Sequence, residues 1–191
     1  SITVALFEQL QEGLRQVELV PLKDELERLR GSKTSEEIAV IRQAITIAEE
    51  AWKMVLEMAT PGVQEAEVAL ELEYRMKKGG AEGTSFDCIV ASGPRTALPH
   101  AQPTSRSIEE GDLLLFDFGS RYRGYCSDET CTVIVGRATE EQRRIYGIVK
   151  DAHDRAIAHV KPGVRLAAID AAARESIDQT GHGEHFGHGT G

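Results

Sequence analysis

From residue 34 onward the apolar positions fall into helical stripes. Ile38, Ile41, Ile45, Ala48, Trp52 and Val55 recur at alternating spacings of three and four, one face of an amphipathic helix. Thr34-Ser-Glu-Glu37 in front of them is a capping box, in which hydroxyl and carboxylate satisfy each other's backbone donors. The stripe predicts a helix running to Thr60, where Pro61-Gly62 ends it. After Val63 a second stripe follows on Val68, Leu72 and Met76 and stops at Gly79-Gly80.

The same order returns later. Thr139-Glu-Glu-Gln142 is a second capping box, and Ile145, Val149, Ala152, Ala156 and Val160 form its stripe. Pro162-Gly163-Val164 repeats Pro61-Gly62-Val63, and a further stripe on Leu166, Ile169, Ala173 and Ile177 ends at Gly181. The second long helix is about one turn shorter, which preserves the facing of its stripe. Cap, stripe, breaker and second stripe in one order predict an internal duplication. In the first copy the helices lead into strand-like sequence, Ser85-Phe-Asp-Cys-Ile-Val-Ala-Ser92, and then into a hairpin ending near Gly136. The matching strands of the second copy would begin around Phe186, so the duplication predicts that a hairpin's worth of sequence lies beyond this chain.

Residues 1–33 have a different texture. They predict a helix over Val4 to Leu14, a short strand over Val17 to Val20 and a short helix over Asp24 to Leu29. That is too little to bury a core alone, so these residues read as the tail of a preceding domain and a connection to residues 34–191.

Composition changes this picture little. The 191 residues are 41% hydrophobic and 28% charged, ordinary globular usage. No apolar run reaches the ~20 residues of a membrane span, and no charged-then-apolar leader is visible. The net charge of −9 argues against nucleic acid as a partner. Cys88, Cys126 and Cys131 are sparse and lack metal or redox spacing, which fits buried free thiols in a reducing cytoplasm; a catalytic thiol is not singled out.

Chemistry concentrates in the hairpin. Asp117 sits inside the apolar run Leu113-Leu-Leu-Phe-Asp-Phe, which implies that it is buried, and buried carboxylates are rarely idle. With the turn centred near Tyr122, Asp117 and Asp128 would face each other across two antiparallel strands, with Cβ atoms ~4.5–5.5 Å apart. Two like charges so placed need a neutraliser, and a divalent ion is the obvious one. The alternative at Asp128, between Ser127 and Glu129, is a solvent-facing side chain. His100, in a Pro-containing loop, can do acid–base work near neutral pH, or can be a loop residue without a role.

Four stretches taken together resemble a known family: Phe86-Asp-Cys-Ile-Val-Ala-Ser-Gly93, Ala97-Leu-Pro-His100, Asp112-Leu-Leu-Leu-Phe-Asp-Phe-Gly119 and Cys126-Ser-Asp-Glu-Thr130. Their order and spacing resemble the pita-bread metallopeptidases, in particular the proline-specific branch of Xaa-Pro aminopeptidases and Xaa-Pro dipeptidases (prolidases). The resemblance implies an α+β pita-bread (creatinase/aminopeptidase) fold with an internal pseudo-twofold repeat, its second half incomplete here. It implies a metallo-exopeptidase that removes the N-terminal residue from peptides, before proline, by a hydroxide bridging two divalent metal ions (Mn, Co or Zn). The family's ligands are two Asp, one His and two Glu. Asp117 and Asp128 match the Asp pair. The His would be the residue immediately after Gly191, and both Glu would lie further on. His188 therefore reads as a wall of the substrate pocket, and His100 as a substrate-facing residue that positions the peptide. His182 and His185 match nothing in the pattern, and His153 and His159 read as surface residues of a helix. With two of five ligands, the chain alone is expected to hold metal weakly or not at all and to be inactive. The partners expected are a peptide and a second copy of the chain. The competing readings are a metal-free pita-bread binding module and a creatinase-like hydrolase; the retained Asp pair argues against both.

Overall fold

The computed structural model describes residues 2–22 and 25–190. The chain runs α1 (Val4–Gly13), α2 (Glu25–Gly31), α3 (Ser35–Leu56), α4 (Glu65–Lys78), β1 (Gly83–Thr84), β2 (Ile89–Ser92), β3 (Leu113–Phe118), β4 (Ser120–Tyr122), β5 (Tyr125–Cys126), β6 (Glu129–Ile134), α5 (Glu140–His159) and α6 (Leu166–Asp178). A 3-10 turn at Gly93–Ala97 follows β2, and another at Gly183–His185 follows α6. Residues 17–20, expected as a strand, form none, because no strand among the described residues of the first 33 offers them a sheet to pair with. Asp24, the expected first residue of the short second helix, lies outside the described residues.

Both capping boxes form as the sequence predicts. In each, the residue at the third helical position also ties the helix to the hairpin. Glu37 closes on the Thr34 amide with one oxygen and accepts from the Tyr125 hydroxyl, 2.7 Å away, with the other. Gln142 accepts from the Thr139 amide and donates Nε2 to the Gly111 carbonyl at 2.9 Å. Helix α3 ends at Leu56, ahead of the expected Thr60, and the chain turns before Pro61. Its core face is centred on Ala44, Ile47, Ala48, Ala51 and Val55. Alanines there let the helix lie close to the hairpin, and the buried Ser120 hydroxyl donates to the Ala44 carbonyl at 2.8 Å.

The strands pair antiparallel in two short sheets, β2-β3-β6 and β1-β4-β5. Side chains alternate across a strand, and β3 divides accordingly. Leu114, Phe116 and Phe118 are buried against α3 and α4 with Leu72, Met76, Val68 and Ile47. Trp52 of α3 meets Phe116 edge-on and stacks on Phe118, favourable geometries for aromatic pairs. Leu113, Leu115 and Asp117 point the other way and are only half-buried. The run of apolar residues before Asp117 implied full burial, but helices cover only one face of this sheet among the described residues.

Helices α5 and α6 form a second hairpin with a smaller core: Ala152, Ala156, Ala173 and Ile177, flanked by Ile148, Ile169 and Phe186. A groove of about 770 Å³ runs along strand β6 between the sheet and α5, lined by Leu115, Thr130, Thr132, Val149 and His153 among others.

Candidate metal centre

The hairpin turn sets the geometry of the Asp pair. Arg123 and Gly124 both have positive φ, 50° and 78°, the conformation of a two-residue type I′ turn whose twist matches that of the strands. The hairpin is thus centred between Arg123 and Gly124, one residue later than expected. Tyr122 pairs with Tyr125 and Arg121 with Cys126; beyond a break, Phe118 pairs with Glu129 and Asp117 with Thr130. Asp117 therefore faces Thr130, not Asp128, and Thr130 donates its hydroxyl to the Asp117 carboxylate at 3.0 Å. The pairing shift is two residues, an even number. A shift of one would have turned Asp128 to the opposite face.

The break in the ladder falls at Gly119 and Ser127-Asp128. A Cβ at Gly119 would run into the Ser127 carbonyl, so only glycine lets the second arm approach there. Serines replace the missing ladder bonds. Ser127 donates its amide to the Ser120 carbonyl at 2.9 Å, and its hydroxyl accepts from the Ser120 amide at 3.0 Å. Ser85 donates to the carbonyls of Ser120 and Ser127. Asp128 leaves this knot exposed, and its charge acts on Asp117.

Burial pushes the Asp117 carboxyl above the usual carboxylate range. The Thr130 hydroxyl opposes the rise, the Asp128 charge adds to it, and His100 lowers it. Asp128 and His100 thus act on the Asp117 charge with opposite sign. His100 itself is exposed, on a loop whose next residue, Ala101, is buried against Ile89, Ala91 and Leu115. His188 is not in this group: its Nδ1 lies 2.7 Å from the Gly189 carbonyl, and Arg174 holds its backbone carbonyl at 2.9 Å. His153 and His159 lie on α5, exposed, as expected. Burial pushes the Cys88 thiol up to about 12, Glu73 adding to the rise, so it stays protonated near neutral pH.

Two adjacent carboxylates, one half-buried with a single neutral donor, suit a hard divalent cation. Among the described residues no group of three His, Cys, Asp or Glu side chains stands close enough to hold an ion.

Sequence reasoning missed one charged residue that is central to the loop bearing His100. Glu65, at the start of α4, is 0% exposed and accepts from Ser92, Arg95 and Thr104. Those partners lie far from it in the chain, so local spacing gave no sign of them; a Glu in a first helical turn reads as an ordinary dipole-favoured residue.

Residues 39–191 match metallopeptidase family M24, and the chain belongs to that family. It is 42% identical to the Xaa-Pro dipeptidase of Pyrococcus furiosus over 195 residues, covering 100% of this chain and 56% of that protein. Its structure superposes on an Xaa-Pro dipeptidase from Bacillus anthracis with a TM-score of 0.96 at 41% identity, covering 100% of this chain and 53% of the other. An X-Pro aminopeptidase from Thermotoga maritima gives a TM-score of 0.93 at 38% identity, covering 96% and 51%. The fold is the pita-bread fold, and the chain spans about half the length of the curated relatives it matches.

Proposed function

We propose that this chain is part of a metal-dependent exopeptidase that removes the residue preceding proline at the N-terminus of a peptide. Residues 34–191 would belong to its catalytic domain, and residues 1–33 to the end of a preceding domain and the connection. The observation that carries the reading is the antiparallel hairpin that holds Asp117 half-buried with the Thr130 hydroxyl as its donor and leaves Asp128 exposed on the facing arm, in a chain whose relatives include Xaa-Pro dipeptidases.

In this reading Asp117 and Asp128 would help hold two divalent ions (Mn, Co or Zn), together with ligands from sequence beyond residue 191. Such ions would supply Lewis acidity for peptide hydrolysis. The chain's own residues do the rest. Thr130 orients the Asp117 carboxylate through its hydroxyl, a role of the kind that fixes metal ligands. His100 faces the peptide and stabilises charge or carries a proton at the reacting amide. His188 forms part of the substrate pocket wall. Sparse, unpaired cysteines favour a cytoplasmic site of action, and the open edge of β6 favours association with a second copy of the chain.

Metal content tests the assignment. A version of the chain extended to the length of its relatives should retain about two Mn ions per chain after dialysis, and Asp117→Asn should lose most of them. An extended protein that binds no metal would favour the metal-free binding module or the creatinase-like hydrolase.

A further inference from the structure

We propose that Glu65 is the positioning residue for His100, a buried clasp that closes the loop between Ser92 and Thr104 and so sets where His100 stands. The proposal rests on the reading of His100 as substrate-facing.

The clasp spans both ends of the loop. One oxygen of Glu65 accepts from the Ser92 amide at 2.8 Å and from its hydroxyl at 2.7 Å. The other accepts from the Thr104 amide at 3.1 Å and hydroxyl at 2.7 Å, and from Arg95 Nε at 3.1 Å. Arg95 then reaches across the loop to the Gln102 carbonyl at 2.6 Å. The backbone completes the closure: the amides of Glu65 and Ala66 donate to the carbonyls of Arg106 and Thr104. Arg106 ties the exit of the loop to Ser92 Oγ and to Asp112, just before β3. The strand that carries Asp117 and the loop that carries His100 are thus joined through one hydrogen-bonded network anchored on the buried Glu65 and Ser92.

A single carboxylate fully removed from water and given five donors is costly to place and is retained where geometry must be fixed. Between the two clasped ends the loop has few other anchors. They are the turn bonds of Thr96, Leu98 and Ala101 and the seat of Ala101 on the sheet. Among the described residues His100 has no hydrogen-bond partner of its own, so its place follows from the clasp. A displacement of about 1 Å at such a residue can cost a hundredfold in rate.

The test combines amide exchange on this chain with kinetics on the version extended to the length of its relatives. In Glu65→Gln the amides of Ser92, Leu98, Ala101 and Thr104 should exchange at least roughly tenfold faster, while those of β3 and β6 hold their protection. Thr104→Val, which removes one hydroxyl and no charge, should show the same pattern more weakly and serves if Glu65→Gln does not fold. In the extended protein Glu65→Gln should lower kcat for an Xaa-Pro peptide roughly ten- to hundredfold, with KM changing less. In a His100→Ala background the same substitution should add less than about threefold, since residues acting through one another are not additive. Unchanged exchange in the loop would overturn the clasp. An undiminished Glu65→Gln effect in the His100→Ala background would reduce Glu65 to a structural role and overturn the positioning claim. An extended wild-type protein without peptidase activity would instead sink the proposed function, leaving the exchange result to decide the clasp.

Discussion

The two helix pairs share a grammar and differ in what they bury. Helices α3 and α4 and helices α5 and α6 each begin with a capping box on threonine and turn at a Pro-Gly-Val triplet. The first pair closes over β3 and β6 and buries Val55, Leu72, Met76, Phe116 and Phe118 completely or nearly so. The second pair has no sheet beneath it among the described residues. Its core is mostly alanine, and stripe residues that the pattern assigned inward are open, Val149 at 54% and Leu166 at 73% exposure. Local signals thus specify a helix and its limits, while the depth of burial depends on what the rest of the fold lays against it.

The largest expected difference lies in the cores. Phe116→Ala should destabilise the chain by about 3–5 kcal/mol through lost burial and a cavity beside Trp52. Val149→Ala, on the open face of α5, should stay within about 0.5 kcal/mol. Urea unfolding followed by the fluorescence of the single Trp reports both, and equal losses would mean that the second pair is as well packed as the first.

A smaller effect appears at acid pH. Burial alone would raise the Glu65 carboxyl, but hydrogen bonds from Thr104 and Ser92 outweigh it and hold the pKa below the ordinary value of 4.5. Between that value and the lower folded one, the unfolded chain binds more protons than the native one, so stability rises with pH through this window. The contribution is complete above the unfolded pKa and is lost as pH falls through the folded pKa. Glu65→Gln should therefore flatten the acid limb of the stability curve, whereas an unchanged limb would show that folding does not lower the Glu65 pKa. A modest effect belongs to the caps: Thr34→Ala and Thr139→Ala should each cost about 1 kcal/mol. A much larger loss at Thr34 would show that the tie from Glu37 to Tyr125 depends on that cap.

What was legible follows the same division. Caps, breakers and stripes are local, and they placed α3 to α6 to within a few residues. The hairpin was visible, but its centre was not. Arg123 in a positive-φ position is not a usual turn signal, and only Gly124 marked the place. The opposed Asp pair was an inference from that misplaced centre, and the observed partner of Asp117 is Thr130. Full burial of Asp117 was misjudged because an apolar run does not tell which face of a strand is covered. Glu65 was illegible because its partners come from residues 92–104, brought to it only by the packing of α4 on β2.

The central claim is that the Asp117–Asp128 face is one part of a peptidase centre completed by sequence beyond residue 191. Hydrolysis of an Xaa-Pro dipeptide with excess Mn or Co, measured for this chain beside the version extended to the length of its relatives, tests it most directly. The account predicts turnover by the extended protein, abolished by Asp117→Asn, and none by the 191-residue chain. Equal turnover by the two would contradict it, showing that residues 1–191 hold a complete site, and so would an extended protein inactive with either metal.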